Sequence, residues 1–332
     1  MNWRMLIKRV FWVIVLAAGV LPEFAQAAKN APWVDRYRGR MSPKELRGLD
    51  SALEAEVELF VNQVRKRGIK YDKQYRRLLP TDGISIAVTD LDTGEDLVTI
   101  NTNTSRMAAS LIKLHVMLLY YDRVEAGAIK ATAAHKETLR RMIRNSCNTS
   151  TNKMLRLLGG PEAANSLLRA QFPVFEHTRI VEYIPAGGRT YKNLTSTHDL
   201  NVFMSLLWQG RLPGSNEMLD ILALKNNDRF VSRTKIPQSA QVYDKTGSVF
   251  GLCGDSGIVK YRDPRTGKTM SYAISMMIED ETKTNRRSRN MSYGAWIGFR
   301  GYVMRRVSES VFGFLHHEKF GYELASCPDP SR

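Results

Sequence analysis

The chain has 332 residues, of which 43% are hydrophobic and 25% charged, and its formal net charge is +16 at pH 7. This composition excludes wholesale disorder and collagen-like structure, and the length allows one large domain or two of ordinary size. Three cysteines are too few for a disulfide scaffold.

The N-terminus has the pattern of a secretory signal. Three basic residues within the first nine precede an apolar run at 10–20, and an A-x-A pattern ends at Ala27. The run is shorter than the roughly 20 residues of a membrane span. We therefore expect cleavage near Ala27 and a secreted or periplasmic protein. An uncleaved membrane anchor is the alternative, and residues 28–41 are expected to form a tether.

The positive charge predicts anionic partners. Outside the cytoplasm these are cell-wall polymers and lipid head groups. Nucleic acid is not expected, because the chain has no zinc-finger, basic-zipper or RNA-binding signature. Basic runs at 65–67, 76–77 and 286–289 are interpreted as solvated surface, with electrostatic contact to the anionic envelope as their alternative role.

The first predicted element is a helix that begins at Ser42 and Pro43, an N-cap residue followed by a first-turn proline. Apolar residues then recur every three or four positions as far as Val64, which indicates an amphipathic helix. Alternating residues at 84–88 and an apolar run at 97–100 predict a β-hairpin. A second helix is expected over 109–121.

The middle of the chain, from Glu125 to about Lys225, has a mostly helical pattern with breaks at 159–161 and 173–194. Strands are predicted at 242–247, 257–261 and 270–278, followed by a helix over 292–317. The order predicts an α+β fold in which an antiparallel sheet is flanked by N- and C-terminal helices. Residues 42–121 and 226–325 would form this α/β domain, and 122–225 an inserted all-α domain.

An S-x-x-K element joins Ser110 to Lys113 near the start of the second helix. Residues at i and i+3 share a helix face, so the hydroxyl and the amine are expected within reach of each other. Serine is a poor nucleophile until a neighbour takes its proton, and a lysine with a lowered pKa can be that neighbour. The helix N-terminus also directs N–H groups toward an anion formed there.

Two further short elements follow in the sequence. Ser146 and Asn148 form S-x-N, in which the serine can pass a proton to a leaving nitrogen and the amide can hold a substrate amide. Lys245, Thr246 and Gly247 form K-T-G at the end of a predicted strand. The lysine supplies a cation for a carboxylate, the threonine a hydroxyl, and the glycine room for a substrate backbone. The N–H of Ser248 can then form half of an oxyanion hole with that of Ser110.

The order S-x-x-K, S-x-N, K-T-G resembles the penicillin-recognising serine enzymes, and class A β-lactamases most closely. The resemblance covers roughly residues 45–320 and includes the Gly-Gly-Pro turn at 159–161 and the hairpin that carries Asp244 and Asp255. It implies an α/β domain and an all-α domain with the site in the cleft between them. It also implies an acyl-enzyme on Ser110, with no cofactor and no metal.

The chain departs from the class A pattern at the loop glutamate that drives deacylation through a water. Counting from Pro161 brings Glu182 near that position, but matching the flanking words indicates that the Glu-x-x-x-Asn element is deleted. We favour the deletion, because no asparagine stands four residues after Glu182. Ser256 also stands where the β-lactamases carry an arginine, which removes one carboxylate-binding cation. Similar departures are expected in class A-like D,D-peptidases.

Cys147 and Cys253 are both expected near the site, either as a disulfide or as buried thiols. The histidines lack metal-ligand spacing and are interpreted as structural or surface residues. The sequence therefore predicts an exported serine hydrolase that cleaves a cell-wall D-Ala-D-Ala peptide or a β-lactam. The lead is a D,D-peptidase-like enzyme that releases penicillin slowly. The alternatives are a working class A β-lactamase and a catalytically weak protein that binds wall peptide.

Overall fold

A computed structural model of the protein describes residues 43–281 and 292–322. The predicted signal sequence, the tether and the basic run at 286–289 lie outside these residues and stay predictions. The chain divides into two compact units, Met1–Asp50 and Ser51–Arg332, and the sheet and the candidate site belong to the second. In the described ranges no helix is both long and apolar enough to cross a membrane.

Eight α-helices occur within the described residues. They are α1 (Pro43–Lys66), α2 (Ile112–Glu125), α3 (Ala133–Arg144), α4 (Asn148–Leu157), α5 (Pro161–Gln171), α6 (Thr197–Trp208), α7 (Ser215–Leu222) and α8 (Tyr293–Phe320).

A five-stranded antiparallel sheet forms the centre of the fold. Its strands are β3 (Asp82–Asp90), β4 (Asp96–Ile100), β7 (Gln241–Val249), β8 (Leu252–Arg262) and β9 (Thr269–Asp280), in the order β4-β3-β9-β8-β7. Two small two-stranded antiparallel sheets accompany it: the hairpin of β1 (Ile69–Tyr71) with β2 (Gln74–Arg76), and the pair of β5 (Arg106–Met107) with β6 (Leu194–Thr195), which are distant in sequence. The predicted α+β fold class is confirmed.

Both faces of the sheet are covered, so its inner strands bury residues of both orientations. Strand β3 is buried along its whole length, and β9 at all but its first residue. One hydrophobic cluster joins the sheet to α2 and the helices that follow it, and a second joins the other face to α1 and α8. In β3 the alternation is therefore between large and small buried residues: Ile84, Ile86 and Val88 belong to the second cluster, and Ser85 and Ala87 lie between them.

The two edges of the sheet differ. At the β4 edge, the outward N–H and the hydroxyl of Thr99 both donate to Glu54 Oε2 of α1, at 2.7 and 3.0 Å. At the β7 edge, a short 3₁₀ turn at Ala109–Leu111 lies against Gly247. The position of this turn brings the start of α2 to the K-T-G strand.

Two details of the sequence-based description were incomplete. The β1–β2 hairpin was not predicted, because its strands are only three residues long. Strand β8 begins at Leu252, five residues before the predicted strand, so Cys253 lies inside the sheet. Cys147 and Cys253 are free thiols, and the disulfide alternative is wrong for this pair. Cys253 faces Met304 of α8, on the face of the sheet away from α2, because side chains alternate along β8.

Candidate active site

Ser110 lies in the 3₁₀ turn immediately before α2. The preceding residue, Ala109, has φ 44°, a left-handed conformation that costs a non-glycine residue about 1 kcal/mol or more. A Cβ added to Gly247 would lie 2.6 Å from Leu111 Cγ and 3.1 Å from Leu111 N. Gly247 is therefore needed for the close approach of the serine turn to β7. The sequence analysis had explained this glycine by the room that it leaves for a substrate backbone.

A connected set of polar side chains surrounds Ser110, here called the serine–lysine network: Ser110, Lys113, Ser146 and Asn148. The hydroxyl oxygens of Ser110 and Ser146 are 2.9 Å apart, and Lys113 Nζ lies 3.1 Å from Ser146 Oγ. Lys113 Nζ also donates to Ser146 O at 2.6 Å and to Asn148 Oδ1 at 2.9 Å. The structure thus brings the residues of S-x-x-K and S-x-N into one hydrogen-bonded group.

The expected direct contact between Ser110 and Lys113 is not the one observed. Among the described residues, the hydrogen bonds of Lys113 go to Ser146 and Asn148, and the connection to Ser110 runs through Ser146 Oγ. Two local features account for this: Ser110 is in a 3₁₀ turn rather than in the helix, and Ser146 has φ 51°. A left-handed backbone at Ser146 is a strained conformation of the kind that clusters at functional sites.

Lys113 is fully buried, and this burial is the largest influence on its charge state. Burial, and then the positive charge of Lys245, lowers the pKa of Lys113 to about 6, so the amine is mainly neutral at pH 7. Burial also lowers the pKa of Lys245 to about 8, against the opposing charges of Asp244 and Asp255. Lys245 keeps most of its charge at pH 7. The two lysines therefore divide the roles of proton acceptor and cation.

The K-T-G strand supplies the wall of the site opposite α2. Lys245 is 2% exposed, and its Nζ donates to Thr246 O at 2.6 Å. The side chain of Ser248 accepts a hydrogen bond of 2.7 Å from Arg229 Nη2. Gly247, next to Ser248 on this edge strand, lies against the serine turn, and the oxyanion role of the Ser248 N–H stays a prediction.

Arg229 is a site residue that the sequence analysis missed. It lies in the segment between α7 and β7, is 8% exposed, and also donates from Nη1 to Gly254 O at 3.0 Å. No motif marks it, because a single arginine in an irregular segment has no periodicity or spacing to distinguish it. It brings a cation to Ser248, next to the K-T-G residues, whereas Ser256 is buried and its hydroxyl is 2.8 Å from that of Ser275.

Glu182 lies in what we call the braced loop, residues 181–193. Its Oε1 accepts hydrogen bonds from Thr190 Oγ1, Tyr191 N and Lys192 N at 2.7 to 3.0 Å. Burial alone would raise the pKa of Glu182, but these bonds outweigh it and the net pKa is lowered. Within the described chain, no hydrogen bond links Glu182 to the serine–lysine network. Its carboxylate holds the two limbs of the loop together.

The braced loop has a second internal tie and one contact with the site. Asn193 Oδ1 accepts from the backbone N–H groups of Val181 and Glu182, and its Nδ2 donates to Glu182 O. At the tip, a Cβ added to Gly188 would lie 3.0 Å from Asn148 Nδ2. The loop thus presents glycine backbone, rather than a side chain, to the amide of Asn148.

Cys147 lies at the N-cap of α4, between the two residues of S-x-N. Its Sγ accepts from Ser150 N at 3.4 Å, and hydrogen bonding from Ser150 lowers the pKa of the thiol. His115 is buried in the core beside Phe175 and Phe203, and burial lowers its pKa to about 4. No group of three or more potential metal ligands occurs in the described part of the chain.

The profile of the Beta-lactamase enzyme family matches residues 71–136 and 130–293. Solved structures with the same fold include PBP-A as a penicillin G acyl-enzyme complex, at 21% identity and a TM-score of 0.60, covering 81% of this chain and 97% of that one. A β-lactamase from Chitinophaga pinensis has 18% identity and a TM-score of 0.59, with coverage of 79% and 98%. An ancestral class A β-lactamase, GNCA, has 18% identity and a TM-score of 0.57, with coverage of 78% and 98%. No curated protein sequence matches the chain.

Proposed function

The chain belongs to the beta-lactamase enzyme family, and from that membership we propose that it is a D,D-peptidase-like serine hydrolase. Its proposed substrate is a D-Ala-D-Ala peptide of the cell wall. Penicillins would acylate it and leave slowly. The expected signal sequence is consistent with a substrate outside the cytoplasm, where such peptides occur.

The observation that carries this proposal is the continuous path from Ser110 Oγ through Ser146 Oγ to Lys113 Nζ, with steps of 2.9 and 3.1 Å. A neutral Lys113 has two N–H donors for Ser146 O and Asn148 Oδ1 and one lone pair for the Ser146 hydroxyl. In the structure Lys113 Nζ donates to Ser146 Oγ and Ser146 Oγ donates to Ser110 Oγ, so both bonds reverse for acylation: Ser146 accepts from Ser110 and donates to the Lys113 lone pair. This arrangement gives the nucleophile a base without any further residue.

In the proposed acylation, Ser110 Oγ bonds to the carbonyl carbon of the scissile amide. Its proton passes to Ser146 Oγ while the proton of Ser146 passes to Lys113 Nζ. The C–N bond then breaks, and the leaving nitrogen receives a proton from Lys113 through Ser146. Backbone N–H groups of Ser110 and Ser248 stabilise the developing oxyanion. The products are an ester on Ser110 and a free amine.

The proposed substrate is held by groups that suit a carboxylate and an amide. Lys245, Thr246 and Arg229 border the strand end, and they supply two cations and a hydroxyl for a terminal carboxylate. The Asn148 amide oxygen accepts from Lys113, and its nitrogen lies beside Gly188 of the braced loop as the group proposed to meet a substrate amide. Strand β7 is an edge strand of the sheet, so an extended peptide can lie along it.

Deacylation is proposed to be the slow step for penicillins. Glu182 is occupied by three hydrogen bonds within the braced loop, and the loop meets Asn148 through Gly188. Among the described residues no carboxylate is hydrogen-bonded to the serine–lysine network, so we propose that none activates a water on the acyl-enzyme. A loss of two to four decades in this step corresponds to about 3–5.5 kcal/mol of transition-state stabilisation.

The deciding experiment is time-resolved intact-mass spectrometry after mixing with penicillin G. We expect an adduct that persists for minutes or longer, and a Glu182→Gln variant whose adduct has nearly the same lifetime. Rapid turnover by the unaltered protein, with a trapped adduct in Glu182→Gln, would instead make it a working class A β-lactamase. Absence of any adduct would leave a wall-peptide-binding protein. Release of D-alanine from a D-Ala-D-Ala pentapeptide tests the substrate directly.

A further inference from the structure

Two aspartates lie buried behind the K-T-G strand, on the opposite face from the serine–lysine network. Asp244 of β7 is 3% exposed, and Asp255 of β8 is fully buried. Asp255 pairs with Thr246 in the register of the two strands, so Asp244 and Asp255 are diagonal neighbours on one face. Nothing in the proposed acylation uses either group.

Each carboxyl group has one oxygen with a hydrogen-bond donor and one without. Asn226 Nδ2 donates to Asp244 Oδ1 at 2.9 Å, and Arg229 N donates to Asp255 Oδ2 at 2.7 Å. Within the described residues, Asp244 Oδ2 and Asp255 Oδ1 have no protein donor. Two buried oxygens left in this way would each carry a desolvation cost of about 1–3 kcal/mol.

The sheet is built to admit the Asp244 side chain. Gly257 stands opposite it, and a Cβ added there would lie 2.7 Å from Asp244 Cβ and 2.6 Å from Tyr243 O. A residue larger than glycine at 257 would displace the carboxyl group toward solvent or strain the strands. The buried position of Asp244 is therefore part of the backbone design of β7 and β8.

We propose that Asp244 and Asp255 share one proton, which Asp244 carries and donates to Asp255, and that this pair sets the charge behind Lys245 and Arg229. A single O–H···O bond between the two groups satisfies both of the unpaired oxygens. Both carboxyl groups cannot be ionised at close range in a buried site without a large electrostatic cost.

The electrostatics of the pair agree with this assignment. Burial raises the pKa of both groups, that of Asp255 to about 6 and that of Asp244 further above its usual range. The hydrogen bond between them raises the pKa of Asp244 and lowers that of Asp255, as expected when Asp244 holds the proton. Other charged and titratable groups act on the pair or on the cations beside it, and they come from four elements. These are Lys245 of β7, Cys253 of β8, Asp228 and Arg229 of the segment before β7, and Tyr293 and Arg305 of α8.

The consequence for the site is a retained positive charge. If both aspartates were ionised, they would balance Lys245 and Arg229. With one shared proton, one positive charge remains in excess and faces an anionic substrate. The effect of this charge on substrate binding rests on the proposed function, whereas the shared proton itself does not.

A double-mutant cycle in melting temperature tests the shared proton without any activity. In Asp244→Asn or Asp255→Asn, the new amide N–H faces the remaining carboxylate, because Asn226 and Arg229 N fix the other oxygen. We expect each single variant to melt at or above the unaltered protein at pH 7.5. In the double variant two NH₂ groups face each other, and it should melt below both single variants. A double variant that melts at or above the single variants would overturn the proposal.

The pH dependence of melting provides a second readout. The folded pair retains a proton that unfolded aspartates release above about pH 4, so the unaltered protein should lose stability as pH rises until the pair ionises. Asp244→Asn has no such proton to lose, and its advantage in melting temperature should widen over the same range. Exposed Asp220→Asn is the matched control and should show no widening gap. Equal profiles for Asp244→Asn and the unaltered protein would refute a shared proton.

Acylation by penicillin G separates the pair from the proposed function. Asp244→Asn reproduces the neutral group, so its acylation rate at pH 7 should stay within about twofold of the unaltered protein. A loss of tenfold or more would show that Asp244 acts as an ionised partner of Lys245 and would overturn the assignment. If no protein is acylated, the proposed function fails while the melting cycle still decides on the shared proton.

Discussion

The serine–lysine network and the braced loop meet at Asn148, but their polar groups are used in opposite ways. In the network, Lys113 is buried with a pKa of about 6, and Ser146 is held at φ 51°. In the loop, Glu182 Oε1 accepts three hydrogen bonds and both ends of the Asn193 amide are paired, all within the loop. The network holds reactive groups in conformations and charge states that lower stability, whereas the polar groups of the loop form hydrogen bonds that raise it.

The largest expected effect is at the nucleophile. Ser110→Ala should abolish the covalent penicillin adduct, because no other hydroxyl in the site has both a base and the serine turn's N–H groups. Intact mass measures the adduct, and circular dichroism checks that the fold is retained. An adduct of unchanged mass on Ser110→Ala would assign the nucleophile elsewhere in the network.

Replacement of Lys113 should slow the reaction and stabilise the fold at the same time. Lys113→Met should slow acylation by a factor on the order of 10²–10⁴, the usual contribution of a general base. It should also raise the free energy of unfolding, because a lysine with a folded pKa of about 6 costs about 3–5 kcal/mol at pH 7 through the proton that it must release. Stopped-flow labelling and denaturant unfolding measure the two effects.

The matched control is Lys153→Met on the exposed side of α4, which should change neither quantity appreciably. If Lys113→Met were destabilised instead, the buried amine would be a net stabilising partner of Ser146 and Asn148. The network would then stabilise the fold, as the braced loop does, rather than lower its stability.

The pH profile of acylation should have two limbs. Below about pH 6 Lys113 becomes protonated and the rate should fall about tenfold per pH unit. Above about pH 8 Lys245 loses its charge, and binding of an anionic substrate should weaken. Initial rates of labelling from pH 4.5 to 9.5 measure both limbs. The acid limb should persist in Glu182→Gln, and its disappearance there would identify Glu182 as the base.

The smallest effect is expected in the loop. Asn193→Ala removes three hydrogen bonds that join the limbs of the braced loop, and should lower the free energy of unfolding by about 1–3 kcal/mol. Acylation should change less than about threefold, because none of these bonds reaches Ser110. Asn145→Ala changes the exposed residue immediately before Ser146, and the same unfolding measurement on this variant provides the comparison. A large loss of acylation in Asn193→Ala would show that the loop positions Asn148.

The long elements were predictable because they repeat a pattern over many residues. Helix α1 and the β3–β4 hairpin were expected from periodicity, and the family from the order of three short motifs. Shorter features carry no such signal: the β1–β2 hairpin has three-residue strands, and the 3₁₀ turn at Ser110 looks like the first turn of α2. That turn is why the expected contact between Ser110 and Lys113 is replaced by one through Ser146.

Residues whose partners lie far along the chain were the hardest to predict. Arg229 reaches Ser248 and Gly254 only because the segment before β7 folds back against β7 and β8, and Glu182 finds its donors on the other limb of its loop. Short sequence patterns near Glu182 suggested two alignments with the family. Neither alignment could reveal the hydrogen bonds that lower the pKa of its carboxyl group. The roles assigned to the site residues remain predictions for the experiments above.

The hydrogen bonds between Thr99 and Glu54 at the β4 edge bear on self-association. An open strand edge offers unpaired N–H and C=O groups to a second chain, and natural sheets block such edges with charge or cover. Here a carboxylate occupies the outward N–H, so a neighbouring strand would have to displace a charged acceptor before it could pair. Glu54 thereby protects the β4 edge against pairing with a second chain, and leaves β7 as the edge where an extended chain can add.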